Sequence, residues 1–225
     1  MHAIPSLAEN CTFLDARRSN RGPLRIGFIV LLLLAMGAAH SQVPVAAFRP
    51  LEVVVNPATR QIFATSALPP HYSLEVFDDG GVAQRTVVLV GTPQSLALDA
   101  SSNRVFLAVG GPDAVVVVDG ASATIASIIS LPSFPMRVVT DPAAGKAYVL
   151  LEDQLAIIDA GNNMTLLPLS AIPSGDLAVD TSSQKVYIVS RDVAQLTEVD
   201  GTTNAKANIA LPVSASSGPQ NRGWL

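Results

Sequence analysis

The chain has 225 residues, of which 49% are hydrophobic and only 5% aromatic, so a core of aliphatic side chains is expected. The formal net charge is −4, and residues 42–225 carry ten basic and sixteen acidic side chains scattered along the sequence. This balance argues against nucleic-acid binding, which requires clustered lysine and arginine. The single cysteine, Cys11, excludes an internal disulfide.

The first predicted element is an apolar helix over residues 26–39, with the sequence IGFIVLLLLAMGAA. A basic region with four arginines precedes it, and the small residues Ala39, at its end, and Ser41 are typical of a secretory signal cleaved after Ser41. The run is shorter than the ~20 residues of a spanning helix. The long basic region also fits an uncleaved membrane anchor formed by residues 26–39. Both interpretations predict export of the chain from residue 42 onward, to the periplasm or the extracellular medium.

Residues 42–212 are predicted to form tandem repeats. A polar turn, then a basic or amide residue, then a β-strand with an aromatic residue at its second position, occurs four times. The period of about forty residues indicates a repeat architecture such as a β-propeller. The predicted repeats span residues 49–90, 91–132, 133–173 and 174–212. Their turns begin at Asn56, Asp99, Asp141 and Asp180, which are 43, 42 and 39 residues apart.

Each repeat contains four short runs rich in Val, Ile and Leu, which indicate β-strands. Four meandering strands per repeat predict an all-β propeller of about four four-stranded antiparallel blades, with the first run innermost. A β-sandwich is the competing fold.

The turns of each repeat carry their own signals. Asp79-Gly80, Asp119-Gly120 and Asp200-Gly201 separate the third and fourth runs and predict type I′ hairpins, whose central residues need positive φ. The turns between the first and second runs are expected to be type I turns closed by a left-handed residue. The aspartates that begin these turns are interpreted as capping residues.

The repeat resembles that of the YVTN β-propeller family, written loosely as V-A-V-D-P-x-T-G-K-V-Y-V-T-N. The resemblance covers about residues 49–212, and it implies a surface or periplasmic propeller. The best matching segments are Val138-Val139-Thr140-Asp141-Pro142, Tyr148-Val149, Ile157-Ile158-Asp159 and Ile172-Pro173.

Such propellers usually close with about seven blades, so four repeats predict either a truncated chain or a small closed ring. In a closed ring, residues 43–48 would pair onto the last blade. Residues 213–225 are either a disordered tail or the start of a truncated fifth blade. In a truncated chain the two end blades expose apolar faces, which favours self-association.

The sequence is poor in catalytic and metal-ligating residues. His71 is the only histidine after residue 41. A histidine-rich metal site needs several such residues and a Ser-His-Asp triad needs one at a defined place, so the sequence offers few candidates for either. No catalytic residue, metal ligand or cofactor is therefore predicted.

Four polar residues form the candidate ligand site. Each lies four residues before the first residue of a repeat's turn, so they are expected to converge at the mouth of the propeller channel. Solvation of the mouth alone also explains polar residues there. Any ligand would be small and polar rather than a metal, because only two carboxylates and no imidazole are present. The four are Glu52, Ser95, Arg137 and Asp176, with Arg137 expected to pair with Asp176.

These features predict a non-catalytic exported propeller that acts as a scaffold or binding module for a protein or a small polar ligand. The alternative is a propeller enzyme, such as a lyase, a lactonase or a quinoprotein-like dehydrogenase subunit, with its site at the channel mouth. The fold alone does not decide between them.

Overall fold

The computed structural model describes residues 49–169, 175–190 and 195–211. Within these ranges the chain forms sixteen β-strands and no helix, so nothing in them is a helix long and apolar enough to cross a membrane. The predicted apolar helix over residues 26–39, the cleavage site after Ser41, the pairing of residues 43–48 and the tail 213–225 lie outside the described residues.

The sixteen strands form four antiparallel sheets, which we call blades 1 to 4, and the strands within each blade follow chain order. Blade 1 comprises β1 (Pro50–Val55), β2 (Ile62–Leu68), β3 (His71–Phe77) and β4 (Ala83–Val88). Blade 2 comprises β5 (Thr92–Asp99), β6 (Arg104–Gly110), β7 (Ala114–Asp119) and β8 (Thr124–Ser130). Blade 3 comprises β9 (Pro135–Asp141), β10 (Lys146–Leu151), β11 (Gln154–Ile158) and β12 (Met164–Pro168). Blade 4 comprises β13 (Gly175–Asp180), β14 (Lys185–Ser190), β15 (Gln195–Asp200) and β16 (Lys206–Ala210).

This arrangement confirms the prediction of four-stranded antiparallel meanders. The first strands of consecutive blades are neighbours: β5 lies beside β1 and β9, and β9 lies beside β13. The first strand of each blade is therefore the one at which successive blades meet, as expected of the innermost strand of a propeller.

The core lies between the blades, in three apolar clusters that join blades 1 and 2, 2 and 3, and 3 and 4. We call the face that a blade turns toward the following blade its leading face, and the opposite face its trailing face. Successive residues of a strand point to opposite faces. In β6, Leu107 accordingly packs against blade 1 while Phe106 packs against blade 3. Blades 2 and 3 are covered on both faces, and their second and third strands are accordingly almost continuous apolar runs.

The aromatic residue near the start of each second strand belongs to the leading face. Phe63 packs between blades 1 and 2, Phe106 between blades 2 and 3, and Tyr148 between blades 3 and 4. All three are at most 5% exposed. The recurring aromatic residue of the sequence motif is thus the side chain that each of these blades inserts into the next interface.

The turns between first and second strands agree with the prediction. Each contains one left-handed residue with φ between 52° and 62°, namely Arg60, Asn103, Gly145 and Gln184. The aspartates cap these turns: the Asp180 carboxylate accepts hydrogen bonds from the amides of Ser182 and Ser183. Bonds from the Ser182 and Ser183 hydroxyls, and then from the Ser182 amide, lower the pKa of Asp180 to about 2.

The prediction of type I′ turns between the third and fourth strands is wrong. In blade 2, Asp119 pairs with Thr124, so four residues separate the strands rather than two. The left-handed residue is Ala123, with φ 52°, and not Gly120. The loop closes through a bond from the Ala123 amide to the Asp119 carbonyl at 2.8 Å and one from the Ser122 amide to the Asp119 carboxylate at 2.7 Å. Gly120 must therefore serve another purpose than positive φ.

Candidate functional site

Three of the four predicted site residues meet in one ion-pair network, which we call the rim network. The Nη1 of Arg137 donates to Oε1 of Glu52 at 2.6 Å, and its Nε lies 3.4 Å from Oδ1 of Asp176. The three side chains come from the first strands β9, β1 and β13. Arg137 therefore connects blade 3 with both blade 1 and blade 4.

Glu52 uses both carboxylate oxygens. While Oε1 accepts from Arg137, Oε2 accepts from the amide of Leu96 in blade 2 at 2.5 Å. Its own amide donates to Thr65 Oγ1 at 3.1 Å, which fixes the main chain at that point. A single carboxylate thus joins blades 1, 2 and 3, and the bonds that involve the amides of Leu96 and of Glu52 itself help to fix its position.

Ser95 has a different place from the other three. It is 4% exposed, and its Oγ accepts a hydrogen bond from the amide of Val138 at 3.3 Å. The hydroxyl therefore links blade 2 to blade 3 below the surface. Its role in this geometry is interblade bonding, and the sequence spacing gave no sign of that burial.

The rim network carries two carboxylates and one guanidinium, so its formal charge is −1. The side chains are 25% exposed for Glu52, 40% for Arg137 and 63% for Asp176, which leaves the network accessible to solvent. Ion pairs of such exposure contribute about 0–1 kcal/mol each. No group of three or more histidine, cysteine or acidic residues that could hold a metal occurs in the described part of the chain.

Sequence reasoning missed a second set of residues, the interblade donors Gln61, Arg104 and Lys146. Each precedes or begins the second strand of its blade and donates to a carbonyl in the turn between the third and fourth strands of the next blade. Gln61 donates to Gly120 at 3.0 Å, Arg104 to Ala160 at 3.1 Å, and Lys146 to Gly201. The signal was present in the sequence, because a basic or amide residue recurs at this place in the motif.

The interface between blades 3 and 4 contains two buried polar atoms, the Tyr148 hydroxyl and Oδ2 of Asp141, that have no hydrogen-bond partner among the described residues. In blades 2 and 4 a serine hydroxyl, from Ser102 or Ser183, binds the second carboxylate oxygen of the turn aspartate. Blade 3 has Ala144 there. Burial, followed by the charges of Asp141 and Asp200, raises the pKa of Tyr148 to about 12. The phenol therefore stays neutral at physiological pH and serves packing.

No protein-family model matches the sequence, and no curated protein matches it either. The YVTN resemblance therefore stays a prediction.

Solved structures are similar to the chain. The Myceliophteria thermophila Cps50 (Swd1) β-propeller domain is 13% identical, with a TM-score of 0.61 over 75% of this chain and 58% of that one. The Kuenenia stuttgartiensis hydrazine synthase is 14% identical, with a TM-score of 0.62 over 78% and 53%. The dihydro-heme d1 dehydrogenase NirN, in complex with DHE, is 17% identical, with a TM-score of 0.58 over 73% and 37%.

These identities are low, so the likeness shows the fold alone. The chain spans between 37% and 58% of the length of these three structures. Together with the four sheets, they establish that the described part of the chain has the architecture of β-propeller blades and not that of a sandwich.

Proposed function

We propose that the protein is a non-catalytic propeller module that binds a protein or a small polar ligand at the rim network. The supporting observation is Arg137, whose guanidinium is held between carboxylates from two other blades and is still 40% exposed. Polar groups fixed in this way lose little conformational freedom when they bind, which favours recognition. The main-chain bonds of Glu52 add to this preorganisation.

The charge of the rim network favours a neutral or cationic partner. Arg137 already faces two carboxylates, so an anion would have to displace one of them or approach a site with a net negative charge. A ligand with both donors and acceptors, such as an amide or a polyol, can bind the guanidinium and the exposed Asp176 together. The same chemistry is offered by the main chain of a peptide.

Fewer observations support the enzyme alternative. Two of the similar structures are a synthase and a dehydrogenase. Their sequence identities to this chain are only 14% and 17%, so the likeness supports a shared fold but not a shared reaction. The rim network contains no imidazole, and each of its charged groups already has an oppositely charged partner.

A thermal-shift screen tests the binding proposal. Neutral and cationic polar molecules, including amino acids, polyols and short peptides, would be compared on the wild type and on Arg137→Ala. We expect a molecule that raises the melting temperature of the wild type and leaves that of the variant unchanged. The variant should keep the fold, because it loses two partly exposed ion pairs worth about 0–1 kcal/mol each.

Arg85→Ala is the matched control. Arg85 is an exposed arginine on β4 that donates to the Ser122 carbonyl and takes no part in the rim network. It should preserve the ligand-induced shift. Equal shifts in the wild type and in Arg137→Ala would remove the rim network from the binding site.

Export is the second part of the proposal, and it is supported by the sequence pattern of residues 1–41. Amino-terminal sequencing of protein recovered outside the cytoplasm should begin at Gln42 if the apolar segment is a cleaved signal. A product that begins at Met1 and leaves the membrane only with detergent would identify the segment as an anchor. Protein found only in the cytoplasm would contradict export.

A further inference from the structure

Glycine follows three aspartates of the chain, namely Asp79, Asp119 and Asp200. An aspartate in this sequence is open to a reaction that needs no enzyme, in which the glycine amide nitrogen attacks the side-chain Cγ and closes a succinimide ring. Glycine permits the attack because it has no side chain to obstruct it. In a folded protein the reaction depends on the freedom of the carboxylate and of the amide, and the three sites differ in both.

The carboxylates of Asp119 and Asp200 are held away from their own glycine amides. That of Asp119 accepts hydrogen bonds from the amide and the hydroxyl of Ser122. That of Asp200 accepts from the amides of Thr202 and Thr203. The Ser122 amide above all lowers the pKa of Asp119, and the Thr203 amide does the same for Asp200. Both side chains therefore stay ionised, and an ionised carboxylate is a poor electrophile.

The glycine amides at these two sites are also occupied. The Gly120 amide donates to the Asn103 carbonyl at 2.8 Å, and the Gly201 amide donates to the Gln184 carbonyl at 2.8 Å. Both acceptors belong to the turn between the first and second strands of the same blade, and both glycines are buried. Either amide would have to leave this bond before it could attack. The fold therefore protects both sites.

The aspartate of blade 1 that precedes glycine has no such restraint. The capping role belongs to its neighbour Asp78, whose Oδ1 accepts from the amides of Gly80 and Val82 at 3.0 and 2.9 Å. Among the described residues, the Asp79 carboxylate forms a single contact, a 3.2 Å ion pair with Arg60 in which the side chains are 60% and 78% exposed. An ion pair of this exposure is worth little, so the carboxylate is free to rotate.

The attacking amide of blade 1 is accessible as well. Gly80 and Gly81 are both exposed, and Gly81 has a φ of 75°. The Gly80 amide donates within its own loop, to Asp78, so no bond to another turn anchors it. Consecutive glycines have the widest conformational freedom of any pair. The loop can therefore reach the geometry of attack while the strands beside it stay paired.

We propose that Asp79 is a site of spontaneous isomerisation to isoaspartate in the folded protein, and that Asp119 and Asp200 are protected from it. The Gly80 nitrogen forms a bond to Cγ of Asp79, and the carboxyl hydroxyl leaves with the amide proton as water. Water then adds to either carbonyl of the succinimide, which restores aspartate or gives isoaspartate. The isoaspartate main chain runs through the side-chain carbon, so the turn gains a methylene group. This turn lies at the end of blade 1 opposite Glu52, so the rim network should remain intact.

All three sites can be compared in one sample of the full chain as purified, kept at physiological temperature and pH for weeks. Peptide mapping with electron-transfer fragmentation measures the isoaspartate fraction at each site. Isoaspartate should form at least about tenfold faster at Asp79 than at Asp119 or Asp200, because the protected sites must first give up several hydrogen bonds. In denaturant the three rates should become similar, since glycine is the next residue in each case.

Gly80→Ala is the test variant. A Cβ at Gly80 meets only Oδ1 of Asp78, at 3.3 Å, so the turn is kept while the methyl group obstructs the attack. The rate at Asp79 should fall well below that of the wild type. Arg60→Asn is the control, because asparagine suits the φ of 60° at this position and the variant removes only the ion pair. Its rate at Asp79 should not fall.

Three results would overturn the proposal. The first is an equal rate at the three sites of the folded protein. The second is a folded protein without isoaspartate at Asp79 over the time in which the denatured chain isomerises. The third is a preference for Asp79 that persists unchanged in denaturant, because the local sequence and not the fold would then set the rates.

Discussion

Gly120→Ala should lower the free energy of unfolding by about 3 kcal/mol, whereas Gly80→Ala should change it by less than about 1 kcal/mol. Both glycines follow an aspartate in a turn between the third and fourth strands. A Cβ at Gly120 would lie 2.6 Å from Oδ1 and 2.7 Å from the carbonyl oxygen of Asn103. At Gly80 the nearest atom is Oδ1 of Asp78 at 3.3 Å. The Gly120 amide donates to the same Asn103 carbonyl at 2.8 Å, so the backbone cannot retreat without losing that bond.

Denaturant unfolding of the two variants measures the difference directly. Gly201→Ala provides a repeat of the test in blade 4, because its Cβ would lie 2.7 Å from the Gln184 carbonyl oxygen and 2.5 Å from the Tyr148 hydroxyl. It should resemble Gly120→Ala. If Gly80→Ala destabilised the protein as much as the other two, the requirement would come from the backbone conformation and not from close approach.

The Asp-Gly turns show what a local pattern contains and what it omits. The sequence located these turns correctly, because aspartate and glycine are typical of strand connections. The predicted type I′ geometry was wrong, because the left-handed residue is Ala123 in blade 2 and Asn204 in blade 4 rather than the glycine. The close approach of Gly120 to Asn103 depends on how two turns of one blade stack. That contact is tertiary, and no spacing in the sequence encodes it.

The fold itself could be predicted because the repeat supplies many consistent observations of one unit. The period, the aromatic residue and the turn aspartates all recur in phase, so an error in one repeat is corrected by the others. The residues of the rim network could be selected by the same logic, because equivalent positions of successive first strands lie near one another. Their role in ligand binding stays a prediction.

The details of the rim network required the structure. Glu52 bonds to both blade 2 and blade 3, which depends on side-chain conformation and on the spacing of blades. Ser95 has the same repeat position as Arg137 but is short, so it reaches only the adjacent Val138 amide and stays buried. Equal repeat positions therefore predict proximity of the main chain, while side-chain length decides which residues meet.

Val138 and Val53 occupy the same repeat position but should respond differently to truncation. Val138→Ala should lower the free energy of unfolding by about 2–3 kcal/mol, because it removes two methyl groups from a filled interface and leaves a cavity. Val138 is 3% exposed and packs against blade 2, whereas Val53 is 62% exposed. Val53→Ala should therefore cost less than about 0.5 kcal/mol.

Chemical denaturation followed by circular dichroism can measure both variants against the wild type. Equal losses at the two positions would mean that Val53 is packed as closely as Val138, which would contradict its exposed position.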